Sequence, residues 1–342
     1  MNRIPHNKPT LGEEEARAAA KVVRSGFVAQ GSEVELFEKE FCRFLGLTPG
    51  HAVAVSSGTA ALFLALWGLK ASGKKVSFPV YTCSSLRNAV RMAGASEVLL
   101  DISEGSPNLD ARKVSGCGSD IAIVPHMYGL PVDISTLRSP VIEDCAQALG
   151  SYVGDTPAGL QGEVGIYSFY ATKLITTGGQ GGMLVSRNKT LVDSIRDYRE
   201  FDYRRDQRIR FNFQMTDLQA AIGRVQLRKL PVFLLRRSQI FEKYRADGLD
   251  LLDITCYNRK KVAPVRFRAV IRTKSPRKFL ASMSKKGITG IVPIRDWELL
   301  GTPKLFPNAY RLTQETVSLP IYPILTDEDV NSIISTVNNA IG

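Results

Sequence analysis

Residues 51–79 read HAVAVSSGTAALFLALWGLKASGKKVSFP, and this stretch decides the fold. A short apolar run, His51–Val55, ends at a Ser-Gly-Thr turn, and an apolar segment of helix length, Ala60–Leu69, follows the turn. Lys75–Pro79 is a second β-rich run. Because the polar turn divides the uncharged stretch Ala52–Leu69, we interpret it as a strand followed by a buried helix and not as a membrane span.

Three further β-rich runs continue this alternation, at Val98–Asp101, Ile121–Pro125 and Val141–Asp144. Helix-length segments separate them, and two amphipathic helices, Glu14–Ser25 and Val34–Leu45, precede the first strand. Strands that alternate with helices predict an α/β fold: a large three-layer domain with a mainly parallel sheet and ligand groups at the carboxyl ends of its strands.

The pattern of predicted elements changes from about residue 232. A long polar helix, a basic strand over Val265–Arg272 and a closing helix after Thr326-Asp327-Glu328 follow. We therefore predict a large domain of residues 1–231 and a smaller C-terminal α+β domain of residues 232–342.

Composition narrows the class of protein. The formal net charge of +12 favours anionic partners such as phosphates, nucleic acid or an acidic membrane surface, without choosing among them. The start of the chain has no apolar segment, and Glu13-Glu14-Glu15 argues against a transit peptide, so we expect a cytoplasmic protein with no membrane partner.

The cysteines and histidines do not suggest a metal or disulfide framework. The cysteines are odd in number and lack CxxC spacing, which favours free thiols. The histidines are far apart in sequence and no HExxH is present, so we expect no metal centre. The residues concerned are Cys42, Cys83, Cys117, Cys145, Cys256, His6, His51 and His126.

Two candidate sites follow predicted strands in the first half of the chain. In Ser56–Thr59, the free backbone N–H groups and the Thr59 hydroxyl are suited to bind a phosphate, although a plain helix N-cap explains the same residues. In Val141–Gln147, Asp144 ends a strand, where a buried carboxylate pairs well with a protonated ring nitrogen; the alternative is an Asp that caps the next helix.

Two further segments follow in the second half. Lys173 lies between the aromatic run from Ser168 and the glycine-rich turn Gly178–Gly182, where a desolvated amine has the lowered pKa needed to form an imine; a solvent-facing lysine is the alternative. The glycines fit neither GxGxxG nor the Walker pattern. Arg210–Met215 leads into a helix over Asp217–Leu227, which is typical of a packed core or interface helix.

Taken together, these segments resemble the DegT/StrS-type family of pyridoxal-phosphate (PLP)-dependent sugar aminotransferases, which belong to the aspartate-aminotransferase fold group (fold type I). The resemblance covers nearly the whole chain and depends on the order and spacing of modest motifs. These are Phe37-Glu38, Gly46, Ser57–Leu62, Pro79–Thr82, Tyr128–Pro131, Glu143–Gln147, Ser168–Lys173 and Ser318–Ile321.

The resemblance implies a role for each site residue. Lys173 would hold the cofactor as a Schiff base and later move a proton between substrate and cofactor. Asp144 would keep the ring nitrogen protonated, and Gln147 would lie beside the ring. The phosphate would be bound by Gly58, Thr59 and Ser168, and by Asn212 of the neighbouring subunit, which would make a homodimer part of the site.

Two positions depart from the family pattern. Many relatives have an aromatic residue, stacked on the cofactor ring, where this chain has Cys83. We expect Cys83 to provide a thinner surface or another residue, such as Tyr81, to provide the stacking face. Gln180 stands in the glycine-rich turn where Glu is usual, which concerns substrate placement more than attachment of PLP.

The resemblance implies transfer of an amino group, from glutamate as the expected donor, to a keto sugar that is linked to a nucleotide. A cyclitol transaminase or a sugar dehydratase is the nearest alternative, and a PLP-binding regulatory or non-catalytic partner protein is the more distant one. We expect no nucleic-acid partner, because no helix-turn-helix, zinc module or basic strip is apparent. The arginine-rich stretch Arg196–Arg210 either binds the diphosphate of a nucleotide sugar or forms a solvated helix face. It includes Arg199, Arg204, Arg205 and Arg208.

Overall fold

The structure, a computed structural model, describes residues 3–253 and 261–341. Cys256 therefore lies outside the described residues. Within them the helices are α1 (Glu13–Ser25), α2 (Ser32–Phe44), α3 (Gly58–Gly68), α4 (Ser85–Met92), α5 (Ala111–Val114), α6 (Lys189–Arg199), α7 (Asp217–Ala246), α8 (Pro276–Lys285), α9 (Pro307–Glu315) and α10 (Asp327–Ile341). Short 3₁₀ turns cover Met127–Gly129 and Asp296–Glu298.

The strands of the same residues are β1 (Ala52–Val55), β2 (Lys75–Pro79), β3 (Ser96–Leu100), β4 (Ile121–Pro125), β5 (Val141–Asp144), β6 (Tyr152–Val153), β7 (Thr156–Pro157), β8 (Val164–Ser168), β9 (Gly182–Val185), β10 (Val262–Ala263), β11 (Ala269–Arg272) and β12 (Thr316–Leu319). The strand–turn–helix prediction for Ala52–Leu69 is confirmed by β1 and α3. Among the described helices, none combines the length and apolar character needed to cross a membrane.

Seven strands form the central sheet, in the order β1-β9-β8-β5-β4-β2-β3. Every pair from β3 across to β8 is parallel, and β9 is antiparallel to both of its neighbours. The predicted α/β fold with a mainly parallel sheet is confirmed. Because β1 and β8 both run antiparallel to β9, the carboxyl ends of β1, β8 and β5 meet at one edge of the sheet.

Two apolar layers cover the sheet. The uncharged helix α3 is buried along most of its length against one face, as expected for a helix that is apolar all round. On the other face, Phe37 and Phe41 of α2 pack against Tyr167 and Phe169, with ring centroids 5.0–5.8 Å apart. These contacts with α2 fix the position of β8 and of the turn that follows it.

Helix α7 connects the two ends of the molecule. The sequence predicts one helix over Asp217–Leu227 and a separate polar helix from about residue 232, but the structure has one helix that passes through Pro231. Its first half packs on the central sheet and its second half on the small β11–β12 sheet, and this burial offsets the cost of about 3 kcal/mol for an internal proline. The predicted domain boundary falls inside α7; the division into two domains stays a prediction.

The basic strand predicted over Val265–Arg272 is shorter in the structure, because only β11 pairs with β12. The preceding residues turn away and lie against the central part, where the N–H of Val265 donates to the carbonyl of Gly129 at 3.0 Å. Gly129 has φ +83°, and a Cβ there would lie 2.1 Å from the Val265 carbonyl oxygen. This close approach brings residues 266–268 to the edge of the sheet where the candidate site lies.

Candidate active site

The turn after β1 forms one wall of the site. Ser57 caps α3, its Oγ accepting from the N–H of Ala60 at 3.1 Å, so the N-cap interpretation is correct. The N–H groups of Gly58 and Thr59 have no acceptor among the described residues, as is usual in the first turn of a helix. A Cβ on Gly58 would lie 2.9 Å from the Cβ of Ser168, so glycine is needed for this close packing. The turn combines free donors with the Ser168 hydroxyl, which suits a phosphate.

Lys173 lies in the turn that follows β8. Its N–H donates to the carbonyl of Tyr170, and the N–H of Ala171 donates to the carbonyl of Gly179. Gly178 and Gly179 have φ of +86° and +147°, a region that glycine adopts readily, and this lets the glycine-rich turn fold back onto the Lys173 turn. The Lys173 side chain is only partly exposed, so it is not a lysine of the open surface.

The surroundings of Lys173 change its acidity. Burial lowers the pKa of its ammonium group, and the nearby charge of Arg268 lowers that pKa further, whereas Cys83 and Asp144 act in the opposite direction. The Nζ atom lies 5.7 Å from the centroid of the Phe267 ring. A lowered pKa increases the fraction of the neutral amine, which is the form that attacks a carbonyl.

Asp144 ends β5 and is buried. Its Oδ1 accepts from the N–H of Ala146 at 3.0 Å, a local bond of the kind that an Asp cap makes, but no helix follows. Burial raises the pKa of the Asp144 carboxyl above its usual value, although the Ala146 N–H and the charge of Lys173 act against this. No described cation pairs with Asp144. A buried carboxylate without a paired cation fits a protonated ring nitrogen.

A hydrogen-bond network that the sequence analysis missed lies behind Asp144. The N–H of Val132 donates to Nδ1 of His126, so Nδ1 carries no proton and Nε2 donates to Glu143 at 3.0 Å. The N–H of His126 also donates to the Asp144 carbonyl. Burial acts to raise the pKa of Glu143, but the hydrogen bond from His126 and those from backbone N–H groups outweigh it and leave the pKa below its usual value.

The same network brings His126, Glu143 and Cys145 close enough together to ligate a metal ion. The sequence separation of the histidines gave no hint of this, because Glu143 and Cys145 come from β5 and the turn after it. Both carboxylate oxygens of Glu143 already accept hydrogen bonds from the 159–162 loop. We therefore interpret the cluster as a support for Asp144.

Gln147 follows Asp144 in the same turn. Its Oε1 accepts from the N–H of Tyr128 at 2.8 Å, and Tyr128 has φ +63°. The side chain is thus oriented by the backbone of a neighbouring turn. Its predicted place beside the cofactor ring stays a prediction.

The alternative stacking residue is not supported by its position. Tyr81 is completely buried, and its hydroxyl is 2.5 Å from that of Tyr128. A side chain with no exposed surface presents no face to a ligand, so the burial of Tyr81 does not favour it as the stacking residue, and this role stays a prediction. Cys83 is exposed and its Sγ lies 2.6 Å from the Ser85 hydroxyl, so it remains the candidate at this position.

Asn212 is exposed, as its predicted role requires, and its Oδ1 accepts from the N–H of Gln214. The neighbouring carbonyl of Phe213 accepts from the N–H of Ser56, which places this segment beside the phosphate-binding turn. The contact with a neighbouring subunit stays a prediction.

The arginine-rich segment is largely occupied by internal ion pairs. Arg199 is buried and pairs with Glu38 and Glu200, so it is not available to grip a diphosphate. Arg204 and Arg208 both pair with Asp197. The burial of Arg199 follows from its place on the inner face of α6, which a list of basic residues does not reveal.

Three side chains from distant parts of the chain lie near the site, and no sequence motif predicted them there. Asn7 donates from its side-chain amide to the carbonyl of Thr172 at 2.9 Å, and His6 is 2.9 Å from the Ser318 hydroxyl. Arg268 and Lys173 approach the same Phe267 ring. Val265–Ala269 alternates apolar residues with Arg266 and Arg268, so the sequence does not distinguish Arg268 from Arg266.

A partly buried lysine, a buried carboxylate and a helix-start turn with free N–H groups meet at the carboxyl edge of a mainly parallel sheet. This combination defines the class of PLP-dependent enzymes of fold type I. The chain belongs to the DegT/DnrJ/EryC1/StrS aminotransferase family, whose pattern it matches over residues 9–338. It is therefore a PLP-dependent sugar aminotransferase.

Individual relatives match the chain over nearly its whole length. The chain is 30% identical to the spore coat polysaccharide biosynthesis protein SpsC of Bacillus subtilis, over 99% of this chain and 97% of the relative. It is 27% identical to GDP-perosamine synthase of Vibrio cholerae, over 98% of each chain. The solved structure of the aminotransferase TlmJ from Streptoalloteichus hindustanus superposes with a TM-score of 0.91 at 28% identity, over 99% of each chain.

Proposed function

We propose that this enzyme transfers an amino group from glutamate to the keto group of a nucleotide-linked sugar, with PLP attached through Lys173. The observation that carries the proposal is the position of Lys173, a partly buried amine with a lowered pKa beside the unpaired carboxylate of Asp144. The similarity to a GDP-perosamine synthase and to a polysaccharide biosynthesis protein supports a nucleotide-linked sugar as the acceptor.

The residues at the edge of the sheet fit the cofactor. Gly58, Thr59 and Ser168 would bind its phosphate, because they combine free N–H groups with a hydroxyl. Asp144 would hold the proton on the ring nitrogen, and Gln147 would lie beside the ring. When bound, PLP supplies an electron sink for the bond that breaks at the substrate carbon.

The chain's own groups complete the chemistry. The lowered pKa of Lys173 increases the fraction of its neutral amine, which would accept a proton from the substrate carbon and deliver it to the cofactor carbon in the same half-reaction. The second half-reaction would run this transfer in reverse. Exposed Asn212 would reach the phosphate of the neighbouring subunit's cofactor in a cytoplasmic homodimer.

The first test is a visible absorption spectrum of the purified protein, then borohydride reduction and peptide mass mapping. We expect a pyridoxyl adduct on Lys173, loss of the visible band when glutamate is added, and release of 2-oxoglutarate. Lys173→Ala removes the adduct, whereas Lys189→Ala, an exposed lysine on α6, keeps it. A protein that does not bind added PLP would overturn the proposal.

The acceptor is tested with the aminated form of the enzyme. Keto sugars linked to a nucleotide should restore the PLP spectrum, and amination of the product should be visible by mass spectrometry. If free keto sugars or keto cyclitols restore the spectrum at lower concentrations than nucleotide-linked ones, the cyclitol alternative replaces the proposed acceptor.

A further inference from the structure

Arg268 carries a guanidinium group that the protein leaves incompletely paired. Its Nε is buried and has no hydrogen-bond partner, and Nη1 makes only a long contact of 3.5 Å with the Ser318 hydroxyl. None of the carboxylates in residues 3–253 and 261–341 forms an ion pair with it. Glu298 is near enough to act on the pKa of Arg268, but its carboxylate is used by the N–H of Arg295. A guanidinium has five donors, and leaving them unmatched away from water is costly.

The second incompletely paired arginine nearby shows what a purely structural role looks like. Arg237 is almost fully buried, and its Nη1 donates to the carbonyls of Arg266, Phe267 and Ile321. It is enclosed by the backbone that it ties together. Arg268, by contrast, is partly exposed, so a ligand can reach it.

Arg268 and Lys173 both lie near the Phe267 ring. The Lys173 Nζ lies 5.7 Å and the Arg268 Cζ lies 5.5 Å from the centroid of the Phe267 ring. The charge of Arg268 also contributes to the lowered pKa of Lys173, which agrees with their proximity. The site therefore contains a fixed positive charge, separate from the turn after β1, with which no acidic side chain of the described residues forms an ion pair.

We propose that Arg268 binds a carboxylate of the amino-acid donor and so selects amino acids over simple amines. This inference rests on the proposed function, because it assigns a residue to the donor half of that reaction. A planar guanidinium suits a carboxylate, since two parallel N–H groups can meet its two oxygens. The backbone around Arg268 is already held by Arg237 and Gly129, so the group is positioned before the donor binds.

The experiment compares Arg268→Met and Arg268→Lys with the parent enzyme. A matched control is Arg266→Met, since Arg266 lies two residues away, pairs with Asp253 and stacks on Phe241 with Cζ 3.9 Å from the ring centroid. Binding of glutarate, a dicarboxylate that cannot react, is measured by calorimetry. We expect a Kd about 10- to 100-fold higher for Arg268→Met, an intermediate value for Arg268→Lys and no change for Arg266→Met.

The donor half-reaction gives a second measurement. The rate at which glutamate bleaches the visible band should fall by a similar factor in Arg268→Met, whereas a primary amine without a carboxylate should react no more slowly than with the parent enzyme. Unchanged glutarate and glutamate binding, with a raised KM for the nucleotide-linked sugar, would overturn the inference and assign Arg268 to the acceptor.

Failure of the proposed function is distinguishable from failure of this inference. If the parent protein binds no PLP, the function fails, and calorimetry with glutarate still shows whether Arg268 binds a carboxylate. If Arg268→Met does not fold, judged by circular dichroism, Arg268→Lys and the comparison of glutamate with a primary amine on the parent enzyme decide the question. Equal use of both donors by the parent enzyme would contradict the inference.

Discussion

The side-chain amide of Asn7 donates to the carbonyl of Thr172, the residue before Lys173, at 2.9 Å. Three residues earlier in this segment, the N–H of Ile4 donates to the carbonyl of Gly287, and the N–H of Thr289 donates to the Ile4 carbonyl. The first residues of the chain thus join the small sheet region to the turn that carries the reactive lysine.

We expect Asn7→Ala to destabilise the turn that contains Lys173. Loss of one side-chain hydrogen bond should lower the free energy of unfolding by about 1 kcal/mol, and we expect weaker retention of PLP because the Thr172 carbonyl loses its partner. Dialysis against buffer, followed by the visible spectrum, measures retention. The control is Asn331→Ala on the exposed face of α10, which should leave retention unchanged; equal retention in both variants would contradict the prediction.

We expect Asp144→Asn to raise the stability of the cofactor-free protein and to lower the activity of the enzyme. Since burial raises the pKa of Asp144, ionisation of the carboxyl in the cofactor-free protein reduces stability as pH rises through the usual and then the raised pKa. The amide keeps the bond to the Ala146 N–H but has no charge. We expect the cofactor-free variant to unfold at a higher temperature than the parent at pH 7.

The same variant should lose activity, because an amide does not hold a proton on the ring nitrogen. We expect the rate of the glutamate half-reaction to fall about 100-fold or more, a loss comparable with removal of other preorganised electrostatic groups. Single-turnover absorption measures it. An Asp144→Asn enzyme that is both less stable without cofactor and fully active would contradict the assigned role.

Glu143→Gln should be strongly destabilising. The Glu143 carboxylate accepts from His126, from the N–H groups of Gly159, Gln161 and Gly162, and from the Gln161 amide. An amide would place N–H groups against these donors and leave buried groups unpaired. We expect a loss of about 3 kcal/mol or more in the free energy of unfolding, measured by urea denaturation.

The exposed Glu163, at the start of β8, provides the control for that measurement. Glu163→Gln should change the free energy of unfolding by less than about 0.5 kcal/mol. If both variants lose the same stability, the network around Glu143 does not have the structural role assigned to it.

His6 should make stability depend on pH in the acid range. Burial and the charges of Arg268 and Arg237 lower its pKa from 6.5 to about 3. Between these values the unfolded chain binds a proton on His6 that the folded protein does not, so stability falls as pH falls from 6.5 towards 3. The glutamine of His6→Gln can still form a hydrogen bond with the Ser318 hydroxyl. The melting temperature of this variant should therefore fall less than that of the parent when the pH is lowered from 7 to 5.

Thermal unfolding at the two pH values measures this difference. His51→Gln is the control, because His51 lies at the other end of the sheet and its Nδ1 contacts the Ser186 carbonyl. A His6→Gln variant with the same pH dependence as the parent would show that His6 is protonated as readily in the folded protein as in the unfolded chain.

Much of the fold could be predicted from local patterns. The bounds of Ile121–Pro125 and Val141–Asp144 were predicted as the structure has them, because each strand is an apolar run that ends at a polar or proline residue. The turn after β1 and the glycine-rich turn were found for a similar reason, since free donors at a helix start and positive φ angles are properties of a few consecutive residues.

The sequence by itself determined the α/β fold, the family, the placing of Asp144 at the end of a strand and that of Lys173 just before the glycine-rich turn. Strand periodicity and turn chemistry act over short distances along the chain, which is why these features could be predicted. Only the tertiary structure decided that Tyr81 is buried, that Arg199 is ion-paired, that α7 passes through Pro231 and that Arg268 and Asn7 reach the lysine turn. Those outcomes depend on which distant segments pack together, and a short stretch of sequence does not show which other segment it will contact. One example is the close approach of the Val265 backbone to Gly129.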